Sequence, residues 1–135
     1  MIIETIVPPE KKTMSIGELA QRAGLTTRTV RYYEEMGLLV GVIRGRNGRR
    51  VYTEEHLYLL RLIRRGKLLL GMSLTEIKEL VEVFRQTGTE RSVIHRSIEI
   101  LTSHLDEVED KQEKLESYHT LLIGEIKRLR GVLRS

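Results

Sequence analysis

A chain of 135 residues has room for one domain and an extension, not for two full enzyme domains. It holds five Tyr, one Phe and no Trp, so any core must come from Leu, Ile and Val, and zero cysteines exclude disulfides, thiolate metal sites, iron–sulfur clusters and cysteine nucleophiles. The net charge of +4 is unevenly placed: residues 26–67 hold ten Lys/Arg against four Glu, a net +6, while the other 13 basic and 15 acidic residues leave −2. A positive excess confined to one stretch suits a polyanionic partner. No apolar run approaches the ~18 residues of a membrane span, and Met1–Glu10 is not built like a secretory signal. The expectation is a cytoplasmic protein with no membrane partner.

Residues 1–12, with Pro8-Pro9 and no periodicity, read as a tail. Ser15-Ile16-Gly17-Glu18 has the capping-box form, in which hydroxyl and carboxylate each take an orphan backbone N–H. Ile16, Leu19, Ala20 and Ala23 supply an inward face before Gly24. Thr26 is a second N-cap, followed by Val30, Tyr33 and Met36 at helical spacing up to Gly37. Two short helices joined by so tight a glycine turn predict a helix-turn-helix.

Val40, Val42 and Ile43 then lead through Arg44-Gly45-Arg46-Asn47-Gly48-Arg49-Arg50 to Val51-Tyr52. Asn-Gly between β-formers predicts a hairpin with both turn residues at positive φ. Its tip carries four arginines, so the hairpin reads as a basic wing. Thr53-Glu54-Glu55 opens a third helix with acids at the positive end of its dipole. Leu57, Leu60, Ile63 and Leu68 form its expected buried stripe, and Gly71 stops it. Ser73-Leu74-Thr75-Glu76 repeats the capping box and starts a fourth helix through Ile77, Leu80, Val81 and Phe84, ending near Gly88.

The last third carries the most regular pattern. Ile94, Ile98, Leu101, Leu105, Val108, Gln112, Leu115, His119, Leu122, Ile126, Leu129 and Leu133 alternate steps of four and three without a slip. A helix over residues 92–134 would be a rod of ~65 Å with a coiled-coil seam. So narrow a seam cannot bury itself, which predicts a homodimer. The bland alternative, a helix lying on its own domain, fits a strict 3.5-residue period poorly.

Met14–Ala20, Thr27–Leu39 (through Arg31-Tyr32-Tyr33-Glu34-Glu35-Met36-Gly37-Leu38-Leu39), Arg50–Thr53 and Gly71–Ile77 together resemble the MerR family of bacterial transcription regulators. The resemblance runs from Met14 to Phe84. It implies a mainly α fold: a winged helix-turn-helix over 13–88, a small hairpin wing, and a long antiparallel coiled-coil dimerisation helix over 92–134. It also implies a palindromic promoter operator, whose over-long spacer many members distort so that RNA polymerase can start; others repress. Two departures stand out. The family's usual Gly-Tyr-Arg is Gly48-Arg49-Arg50 here, and Tyr52 to Gly71 is one residue longer than usual. The second departure leaves open by one position how Arg64, Arg65 and Lys67 match the family's second wing.

With Val30 and Tyr33 inward, Arg28, Arg31 and Tyr32 point outward on the second helix. Thr27 and Arg28, on its first turn, are the candidates for base edges, since an arginine can fork onto guanine O6 and N7. By the resemblance, the Tyr32 and Tyr33 hydroxyls clamp phosphates; core packing is the competing reading for Tyr33. Arg44, Arg46, Arg49 and Arg50 are expected to touch phosphate or minor groove, Arg50 foremost, with Tyr52 packing or bonding to the backbone beside it. Arg64, Arg65 and Lys67 form a second basic cluster whose competing reading is a solvated helix face.

No metal or cofactor is expected. His95 and His104 lie nine apart on opposite helix faces, His56 is on another helix, and Gln112 and His119 at seam positions suit a register role. The cysteines through which family members sense metals or oxidants do not occur. Family members that bind drugs often carry a further domain after the coiled coil, whereas this chain stops at Ser135. Any effector pocket would have to lie between the dimer helix and the partner. No phosphate loop or His-Glu helix motif supports an enzyme. The leading expectation is a dimeric, sequence-specific transcription regulator on double-stranded DNA. Its alternatives are an architectural or excision-type DNA-bending factor, and a pure protein-interaction module.

Overall fold

The computed structural model describes residues 12–135; the expected tail at residues 1–12 therefore lies almost wholly outside the described residues. Ser15 accepts the Glu18 N–H at 3.2 Å to start α1, Ile16–Ala23. The reciprocal Glu18 bond of a full capping box is not formed, so this cap is half of the expected device. Gly24, at φ 71°, closes α1 and lets Thr26 cap α2, Thr27–Glu35, after a tight turn. Leu19, Ala20 and Ala23 of α1 and Val30 and Tyr33 of α2 are buried, giving the expected helix-turn-helix.

β1, Ile43–Arg44, and β2, Arg50–Val51, pair antiparallel with Ile43 opposite Val51 and Arg44 opposite Arg50. The turn differs from expectation. Only Gly48 has positive φ (78°), and Asn47 does not. The Gly45 N–H donates to the Arg49 carbonyl and the Gly48 N–H to the Gly45 carbonyl, so three residues form the loop, with Gly48 as a bulge. The Asn47 side chain accepts the Arg49 N–H at 3.1 Å and so closes the turn locally. The base of the wing is pinned to the start of α1 by a two-bond bridge between Met14 and Tyr52.

α3, Glu54–Leu68, buries Leu57, Leu59, Leu60 and Ile63. Leu68 is corrected: it is 65% exposed, because the buried face of α3 continues through Gly66 and Leu68 falls outside it. Ser73 and Glu76 make the complete capping box of α4, Leu74–Thr87, whose Ile77, Leu80, Val81 and Phe84 are buried. α3 and α4 meet through the tilted Tyr58–Phe84 ring pair, with centroids 5.0 Å apart. α5, Glu90–Arg134, is continuous over 45 residues. By contacts the chain divides into two units, one reaching Ser97 and one from Ile98 to Ser135. In the first, Val93 is buried and Arg96 grips Glu79 of α4 with two hydrogen bonds. The second consists of the remainder of α5 by itself.

Candidate nucleic-acid interface

Helix α2 owes its orientation to Val30 and Tyr33, whose burial turns Thr27, Arg28, Arg31 and Tyr32 to solvent. Tyr33 buries its ring, over which the Lys67 ammonium sits 5.9 Å from the centroid. Its hydroxyl has no partner among the described residues yet is not a buried unpaired atom, so it reaches solvent. Core packing and a surface hydroxyl thus coexist in one side chain.

The wing contributes Arg44, Arg46, Arg49 and Arg50, all exposed. Arg44 folds back to donate to the Gly48 carbonyl at 2.7 Å, bracing the turn. A cleft of about 580 Å³ between the start of α1 and the wing gathers Arg31, Arg49 and Arg50 on its wall. A second cleft, about 480 Å³, gathers Arg61, Arg64 and Arg65 beside the end of α1. There the Arg64 guanidinium lies against Gly24, which has no side chain to displace it. Lys67 is not in this cluster; it faces Tyr33.

Tyr52 is corrected. It is 0% exposed, and its hydroxyl donates to Glu34 Oε1 at 2.7 Å, so it belongs to the core beneath the wing and not to the contact surface. Burial first, then the Glu34 carboxylate, pushes its pKa up, so it stays a neutral donor. The other oxygen of Glu34 pairs with Arg50 at 2.7 Å. Nothing in the sequence marks Glu34, because one of two adjacent glutamates at the end of α2 reads as ordinary surface.

His56 was likewise unassigned. It is buried, its Nδ1 accepts the Thr53 N–H and its Nε2 donates to the Val40 carbonyl, both at 2.9 Å. Since one partner can only donate and the other only accept, the ring is neutral with its proton on Nε2. It locks the chain entering the wing to the start of α3. No group of three or more metal-ligating side chains exists among the described residues.

A helix-turn-helix with an outward basic face, flanked by an arginine-bearing hairpin, defines a winged DNA-binding unit. Comparison with known families agrees. Residues 14–83 match the MerR HTH family regulatory protein model, and residues 57–124 match a second model described as MerR, DNA binding. Among characterised relatives, the transcriptional regulator CueR of Salmonella typhi is 32% identical over 106 residues, 76% of each chain. ZntR of Escherichia coli K12 is 37% identical over 102 residues, covering 76% of this chain and 70% of ZntR. Among solved structures, HiNmlR, a MerR family regulator lacking the sensor domain and bound to promoter DNA, superposes with a TM-score of 0.57 at 27% identity. That match covers 79% of this chain and 78% of HiNmlR. PbrR691 of Ralstonia metallidurans CH34, in complex with lead(II), gives a TM-score of 0.58 at 32% identity over 82% and 83% of the two chains. The chain belongs to the MerR family and is a DNA-binding transcription regulator.

Proposed function

We propose that the protein works as a homodimer on a palindromic promoter operator and regulates by distorting the spacer presented to RNA polymerase. The observation that carries this reading is the state of the α5 seam. Ile94, Ile98, Leu105, Val108, Leu115, Leu122, Ile126, Leu129 and Leu133 are all exposed in the single chain. Leaving that many aliphatic side chains half exposed forfeits roughly half of the about 1.5–3 kcal/mol that complete burial of each one brings, so the seam calls for a second helix.

The spacing also permits the antiparallel direction that the family resemblance implies. Read from either end, the twelve seam positions give the same alternation of fours and threes, so an antiparallel copy can match all twelve. In that register Ile94 meets the partner subunit's Leu133, and Leu105 meets the partner subunit's Leu122. Two winged units related by a dyad then suit a dyad-symmetric duplex.

Within each unit, Thr27 and Arg28 read base edges. Arg31, the Tyr32 and Tyr33 hydroxyls, and Arg44, Arg46, Arg49 and Arg50 hold phosphates, with Arg64 and Arg65 as a second basic cluster and Lys67 apart from it over the Tyr33 ring. Tyr52 acts only from beneath. The unit is a binding module without a catalytic role, and its site of action is the cytoplasm, where promoter DNA lies. The promoter-bound state of HiNmlR supports the DNA assignment. L105D/L122D tests the whole. Sedimentation should give a monomer with poor operator affinity, and an intact dimer would overturn the seam.

A further inference from the structure

Glu34 makes two contacts from one carboxylate, both to the returning arm of the wing. One oxygen accepts the buried Tyr52 hydroxyl at 2.7 Å; the other meets the Arg50 guanidinium at 2.7 Å. The Glu34 side chain is only 13% exposed, whereas the Arg50 side chain is 49% exposed and lines the cleft shared with Arg31 and Arg49. Arg50 is thus a surface cation whose neutralising anion sits behind it, on the recognition helix.

We propose that Glu34 is a positioning residue: it ties the wing to α2 through Arg50 and Tyr52 and holds down the wing's sequence-independent attraction for phosphate. The inference rests on the assignment of Arg50 to the phosphate backbone. Without that carboxylate, Arg50 would carry a full positive charge on a wing held only at its base by the Met14–Tyr52 bridge, and would meet any duplex. With Glu34 in place, Arg50 approaches DNA as one end of an ion pair whose direction is set by the same helix that reads the bases. Position on the groove and engagement of the wing are thereby coupled, and binding in the wrong register gains less.

The charge can be separated from the shape. Glu34→Gln keeps an acceptor for the Tyr52 hydroxyl and removes only the negative charge. On a random-sequence duplex of about 30 base pairs, the plot of log Kobs against log salt should steepen by up to about 0.9, the increment of one extra neutralised phosphate, with affinity at low salt rising several-fold. Arg50→Gln should flatten the slope, and the double variant E34Q/R50Q, a neutral pair replacing an ion pair, should return it to that of the wild type. Glu35→Gln changes net charge equally without touching Arg50, and its slope should stay near the wild-type value. A Glu34→Gln slope equal to that of the wild type, or matched by Glu35→Gln, overturns the proposal. If Arg50→Gln itself leaves the slope unchanged, the phosphate assignment of Arg50 falls and takes the proposal with it. Should Glu34→Gln fail to fold, the wild type answers directly by NMR. Guanidinium rotation at Arg50 should be slow beside that of the exposed Arg49, and equal rates would overturn the pair.

Discussion

Arg28 and Arg50 are both exposed arginines within the same basic stretch, yet their surroundings give them different work. Arg28 stands on the first turn of α2 with no acidic partner among the described residues, free to present its fork to a base pair. Arg28→Ala should relax discrimination between operator and random duplex by about 1–3 kcal/mol, read as a ratio of dissociation constants. An equal loss on both duplexes would remove it from base reading. His56 works in the opposite direction, inward. His56→Phe would keep an aromatic ring in the core but strand the Val40 carbonyl and the Thr53 N–H. Urea unfolding should show a loss of at least about 1–3 kcal/mol, the cost of a buried polar group left without its partner. A loss under about half a kcal/mol would mean that water replaces both bonds.

The elements are held by small fitted features more than by their intrinsic propensities. Gly66 lies in α3 where a Cβ would stand 2.9 Å from the Met72 sulfur and 3.5 Å from Ile77, so α3 approaches the loop before α4 closely only because no side chain intervenes. Gly66→Val should cost about 1–3 kcal/mol by overpacking, and a rise in midpoint on thermal unfolding would contradict the fit. The start of α5 is fastened differently, by the Arg96–Glu79 fork, with Arg96 Nη2 and Glu79 Oε1 3.1 Å apart. Arg96 holds the Glu79 carboxyl below the usual carboxylate range. A lowered folded-state pKa stabilises the fold above the ordinary carboxylate value, and that contribution disappears as pH falls through the lowered one. Both side chains are more than a third exposed, so solvent screening keeps the effect under about 1 kcal/mol. Glu79→Gln should therefore unfold slightly earlier than wild type at pH 7 and together with it in strong acid.

For the assembled molecule, the distinctive expectation concerns pairing direction. The chain has no native cysteine, so introduced ones report without background. In the antiparallel register, L105C/L122C should form two crosslinks between copies under mild oxidation, whereas L105C alone should form none. Parallel pairing would set position 105 of each copy against its own counterpart, and L105C alone would then crosslink. A monomeric rod would leave both variants uncrosslinked.

Much of this could be read from the residue order. The helix starts at Ser15, Thr26 and Ser73, the αL closure at Gly24 and the heptads of α5 are local, set by capping chemistry or by a period of three to four residues, and they survive into the structure. So does the outward face of α2, because Val30 and Tyr33 leave it only one way to turn. Three-dimensional packing settled what depends on neighbours distant along the chain. Tyr52 went into the core because Glu34, eighteen residues earlier, offers its hydroxyl an acceptor, and His56 became a lock because Val40 passes its ring. Leu68 came out because the buried face of α3 runs on through Gly66, and Leu68 lies off that face. Short-range patterns encode which residues form an element and which side of it is apolar. A polar side chain's role depends on which donor or acceptor folding brings to within about 3 Å, and no periodicity carries that information.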